Sequence, residues 1–191
     1  MSISTNINPD SINAVVDRQQ ASSANDLPNQ ESLTLWVNAA LRHPHVMSGA
    51  LAQKPSLQLA ELSVRLVDEV ESRTLNRDYR QKNKPTNVLS FSADLPEFVD
   101  VPLLGDLVIC APVVAREAIE QHKKHDDHWA HMIIHGILHL LGYDHIDEND
   151  ATIMETIETE VLETLGIGCP YAEHALPAEE KFDSPPFLLI P

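Results

Sequence analysis

Residues 129–141 carry Trp129, Met132, Ile133, Ile134, Ile137, Leu138 and Leu140, a stretch apolar on most sides that reads as a helix buried at the centre of the molecule. His135 and His139 interrupt it four residues apart, so their imidazoles lie one turn above the other and can grip one ion. Gly142 is well placed to end the helix in a left-handed conformation and turn the chain back, so that His145 reaches the same ion from outside. The third ligand thus depends on a glycine.

The spacing equals that of the long zinc-protease signature H-E-x-x-H-x-x-G-x-x-H, with Gly136 where that signature has its glutamate general base. A single histidine on an apolar helix is more often packed and hydrogen-bonded than liganded. Three at this register, with the intervening glycine, favour a metal. Structural zinc sites are normally closed by four protein ligands, commonly rich in cysteine, so three histidines point to an open, catalytic position, with Cys110 as a candidate fourth ligand. With no second ligand cluster in the sequence, the expectation is one Zn2+ per chain.

At 191 residues the chain is about one domain, with a core that needs no disulfide staples. Cys110 and Cys169 lie far apart and form no CxxC pattern, which fits a reducing cytosol. The first thirty residues lack a basic start followed by an apolar run, and no stretch is long enough for a membrane span, so the reading is a cytoplasmic protein with no membrane partner. A net charge of −16 argues against coating nucleic acid by bulk attraction. Local distribution matters more. Arg73, Arg77, Arg80, Lys82 and Lys84 are five of the thirteen lysines and arginines, a cluster that reads either as a solvated helix end or as a phosphate-facing patch.

Residues 1–30 form a polar extension in which the run at 12–16 is a candidate first strand. Residues 31–41 read as a helix with Leu33, Leu35, Trp36, Ala39 and Ala40 inward, stopped near His43-Pro44. Alternation at 57–60 and 64–67 suggests strand, 69–79 a helix, and 88–91 and 107–110 the strongest strands. After Pro112 residues 113–123 read as helix, and Asp126 or Asp127 is placed to cap the histidine-bearing helix. A last amphipathic helix, about 150–165, has Ile153, Met154, Ile157, Val161, Leu162 and Leu165 on one side and closes at Gly166. Five prolines within 169–191 mark a flexible tail. The domain itself spans 31–168.

Three ordered motifs carry a family resemblance: His135-Gly136-x-Leu138-His139-Leu140-Leu141-Gly142-Tyr143-Asp144-His145; Leu75-Asn76-Arg77-x-Tyr79-Arg80-x-Lys82-x-Lys84-Pro85-Thr86-Asn87-Val88-Leu89-Ser90-Phe91; and Leu104-Gly105-Asp106-Leu107-Val108-Ile109-Cys110. On these the chain resembles the YbeY endoribonucleases, over about residues 57–167. One departure is Ser92, where the family usually has proline. The resemblance implies a single α/β (α+β) domain, a small mixed sheet with helices around a central metal-binding helix. It further implies a zinc-dependent endoribonuclease acting on single-stranded RNA, in 16S rRNA 3′-end maturation and ribosome quality control, with the small ribosomal subunit as partner. Carried over by position, the family's metal ligands fall on His135, His139 and His145, and its functional arginine on Arg80.

Zinc held by neutral imidazoles keeps its charge, lowers the pKa of bound water to about 7 and polarises a phosphoryl oxygen. Arg80, with forked donors that match phosphoryl oxygens, is the candidate catalytic residue. His131, one turn before His135, reads as a substrate or outer-layer contact or as a packing residue; Asp144 is a weaker candidate. Two rival classes remain: a non-catalytic ribosome assembly factor with a structural metal, and a zinc metalloprotease, against which Gly136 and the basic cluster both count.

Overall fold

The computed structural model describes residue 8 and residues 12–53, 55–93, 95, 99 and 101–172. Four strands, β1 (Val15–Gln20), β2 (Glu61–Val67), β3 (Val88–Ser92) and β4 (Leu103–Cys110), form one sheet in the order β1-β2-β4-β3. The first three are mutually parallel and β3 runs antiparallel to β4, so the fold is the expected mixed α/β class. Alternation along β4 divides the interior. Leu107 and Ile109 enter the main core, while Val108 and Cys110 enter a smaller cluster on the opposite face.

The helix α6 (His125–Leu140) fills the main side, touching β3, β4, α1 (Gln30–Leu41), α5 (Ala111–Glu120) and α7 (Glu148–Thr164). Its apolar residues are buried on all these fronts, as the sequence implied. Gly136 lets it approach the sheet: a Cβ there would lie 2.8 Å from Leu107 Cδ2 and 3.3 Å from Val88 Cγ2. On the other face lies α4 (Glu69–Arg80), whose Leu75 packs with Phe91 against the smaller cluster.

Several local expectations are corrected. Residues 57–60 are no strand: Pro55–Leu59 is a 3-10 helix, and β2 starts at Glu61, although the Gln58 and Ala60 carbonyls already accept from the N–H groups of Asn13 and Val15. The run at 12–16 leads into β1 and supplies its first two residues, Val15 and Val16. Ile12 is buried, and the pairing continues through the polar Asp17 to Gln20, tolerable because β1 is an edge strand. Two short helices, α2 (Pro44–Ser48) and α3 (Ala50–Gln53), had no counterpart in the sequence reading. Neither Asp126 nor Asp127 caps α6. The N-cap is Lys124, without a side-chain bond, and both aspartates sit in the first turn, where they complement the helix dipole. Leu35 and Ile153, expected inward, are 56% and 41% exposed. Of the proline-rich tail, residues 173–191 lie outside the described residues, as do 1–7 and 9–11 of the N-terminal extension.

Candidate metal centre

His135 and His139 emerge half-buried from α6 with ring centroids 4.5 Å apart, and His145 comes within 5.7 and 5.1 Å of them. One ligand atom from each of the three lies within 4.8 Å of the other two. The turn that delivers His145 is built as expected. Gly142 has φ of 91°, its N–H bonds the His139 carbonyl, and the Tyr143 N–H bonds the Leu138 carbonyl, closing the helix in a Schellman motif. Asp144 then accepts from the His145 N–H at 2.7 Å, which gives that side chain a role in shaping the turn.

The same turn orients a ligand. His139 Nδ1 lies 3.0 Å from the Tyr143 carbonyl, and His135 Nδ1 lies 2.8 Å from Glu158 Oε1. A carbonyl and an ionised carboxylate only accept, so both Nδ1 atoms must donate, which leaves each neutral ring a bare lone pair on Nε2. Those two Nε2 atoms face each other at 3.1 Å. Lone pairs at that distance need a cation between them or beside them. On His139 a proton is disfavoured, because burial first, and then the neighbouring His135 and His145, push its pKa down. The donor set therefore fits a metal ion.

Glu158 was not anticipated. It sits on α7, fully buried, accepting from His135 through Oε1 and from His131 Nε2 through Oε2 at 3.1 Å. The Tyr171 hydroxyl also donates to Oε2. Burial alone would raise its pKa, but the bonds from His131 and His135 prevail and hold it at about 2. Such a carboxylate fixes the tautomer and orientation of a ligating histidine. The sequence did carry a signal, since Glu158 interrupts the apolar stripe of Met154, Ile157, Val161 and Leu162. His131, which shares this carboxylate with His135, is buried with its ring at 85° to that of Tyr171.

The remaining candidates lie elsewhere. Cys110 is buried in the small cluster across the sheet, so among the described residues the ligand group is the three histidines without it. Gly136, the position of the protease glutamate, faces Leu107 and Val88 instead of the histidines. Arg80 ends α4, exposed, and no hydrogen bond or ion pair joins it to the histidines.

A family model described as Endoribonuclease YbeY matches residues 18–166. The chain belongs to the YbeY family. A YbeY relative, the Endoribonuclease YbeY of Cellvibrio japonicus (strain Ueda107), is 50% identical over 162 residues, which cover 85% of each chain. The solution structure of TM1509 from Thermotoga maritima aligns with 89% of this chain and 100% of its own, at 22% identity and a TM-score of 0.48. The YbeY match takes in Arg80, the three histidines and Glu158, and it stops short of Tyr171. No helix among the described residues is long and apolar enough to cross a membrane.

Proposed function

We propose that this chain is a zinc-dependent endoribonuclease that cleaves single-stranded RNA, acting in the cytoplasm on the 3′ end of 16S rRNA and in quality control of the small ribosomal subunit. The observation that carries the reading is the pair of facing Nε2 lone pairs with His145 beside them, in a chain of the YbeY family. The relative's name supplies the RNA substrate, and the resemblance supplies zinc and the ribosomal context.

His135, His139 and His145 would hold the metal, which when bound supplies a Lewis acid for a phosphoryl oxygen and lowers the pKa of coordinated water. The other groups bind and orient. Glu158 and the Tyr143 carbonyl keep both helix histidines with Nε2 toward the ion. The exposed guanidinium of Arg80 presents forked donors to phosphoryl oxygens, whose negative charge grows as the phosphodiester breaks. The protease alternative loses its base, since position 136 has no space for a side chain and faces the sheet.

Metal-loaded, nuclease-free protein should cleave labelled single-stranded RNA and leave casein intact, and His139→Ala should cleave neither. About one equivalent of zinc should survive dialysis in the parent protein and far less in His139→Ala. RNA binding without cleavage would replace the nuclease reading with that of an assembly factor whose metal is structural.

A further inference from the structure

The basic stretch noted in the sequence contains an aromatic ring that nothing so far accounts for. Tyr79, in the last turn of α4, is 68% exposed, and its ring stands on Phe91 with centroids 4.9 Å apart and planes at 72°. The edge contact steadies the ring and leaves much of it to solvent. The side chains of Arg80, Lys82 and Lys84, which follow it in the chain, are exposed and make no hydrogen bond or ion pair among the described residues. In a chain of net charge −16, three uncommitted cations beside one exposed aromatic form a local exception.

The arrangement is held rigidly from beneath. Gln81 adopts a left-handed φ of 59°, reversing the chain so that residues 82–86 return alongside α4. Asn76, buried in the helix, donates from Nδ2 to the Lys84 carbonyl at 2.7 Å, and its own carbonyl accepts from the Lys82 N–H. Ser72, also buried, exchanges bonds with both the carbonyl and the N–H of Thr86, and Arg73 Nε donates to Asn83 Oδ1 at 2.9 Å. Buried polar residues thus fix a loop whose outward side chains are charged and free. Such preorganisation lowers the ordering cost of binding.

Phe91 also ties the ring to the histidine side of the sheet. It lies on the edge strand β3, where Ser90 Oγ donates to the Gly136 carbonyl and Ser92 lines a small cavity together with Leu140. Those two α6 residues directly follow His135 and His139. The edge strand therefore meets the neighbours of His135 and His139 through Ser90 and Ser92, and carries Phe91 beneath Tyr79 between them. A flexible polyanion with planar rings is the ligand that suits both: cations track the backbone, and an exposed aromatic accepts a base whatever its identity.

We propose that Tyr79, braced by Phe91, is a stacking platform for one base of single-stranded RNA, with Lys82 and Lys84 on the adjoining phosphates. The proposal rests on the endoribonuclease reading, and the test separates the two. Short single-stranded RNAs carrying one 2-aminopurine, moved along the strand, are titrated with the full chain in chelator to suppress cleavage, and again with zinc. One position should show quenched fluorescence with the parent protein. Tyr79→Phe should keep both the quenching and the affinity, while Tyr79→Leu and Tyr79→Ala should lose the quenching and bind about tenfold more weakly with an unchanged salt slope. Lys82→Ala and Lys84→Ala should keep the quenching and each flatten the salt slope by about 0.7. Zinc content and melting temperature should match the parent throughout. Parent-level affinity in Tyr79→Leu, or no quenched position in the parent complex, overturns the platform and leaves the nuclease reading standing. A parent protein that binds no RNA overturns both.

Discussion

Glu158 is a single carboxylate with three donors on it, and each loses something different if it is changed. Glu158→Gln keeps the volume but removes the charge and one of the two acceptor oxygens, so His135 and His131 can no longer both be satisfied. Zinc affinity, measured by competition with a chromogenic chelator, should fall by about ten- to a hundredfold with helix content unchanged. Parent-level affinity would mean that His135 orients itself. Arg80 makes the contrasting case. Arg80→Ala should keep full zinc content and lose about a hundredfold or more in single-turnover cleavage at saturating enzyme. Arg80→Lys should restore little, because one ammonium does not reproduce a planar fork, and strong rescue would reduce Arg80 to general attraction. The three histidines were legible because they stand close in sequence on one helix and its turn. Glu158 was legible only as an oddity in an apolar stripe, since its histidine partners lie 23 and 27 residues away, and a pattern read one helix at a time does not reach them.

At the scale of elements, α6 depends on two glycines for different reasons. Nothing lies within 4 Å of a Cβ built on Gly142, so Gly142→Val meets no clash and its whole cost is the positive φ, of order 1 to 3 kcal/mol. Circular dichroism should show the helices intact while zinc affinity drops through displacement of His145. Unchanged affinity would dissociate the turn from the site. Gly136 is a matter of space. Gly136→Glu restores the protease signature in sequence yet drives a carboxylate toward Leu107 and Val88, so it should yield a destabilised or unfolded chain and no casein cleavage. Periodicity found the longer helices and strands because their apolar faces meet one core. It fails at residues 44–53, where two short helices offer too few turns to show a period, and at 57–60, where four alternating residues after a proline mimic a strand.

For the molecule as a whole, the metal-free centre should make folding sensitive to acid. Burial leads the lowering of the pKa values of His131 and His139, and Glu158 is held at about 2, so in each case the unfolded chain binds protons more readily than the native one. The histidine contributions are complete above the unfolded value of about 6.5 and fade as pH falls below it, and that of Glu158 fades from about 4.5 downward. Melting temperature in chelator should therefore decline steadily from pH 7 to pH 3, with Glu158→Gln flattening the lower part of the curve. Zinc should raise the neutral end through mass action and do little near pH 5, where protons compete for its ligands. A flat profile would show that the network does not couple to folding. The arrangement of the network along the chain also sets an order of assembly. All three histidines are present once the polypeptide has been made as far as His145, whereas the carboxylate bonded to His135 follows on the next helix, and the phenol that bonds this carboxylate comes later still. If these histidines hold a metal, a chain ending shortly after His145 should bind it more weakly than one that extends through α7 and the turn to Tyr171.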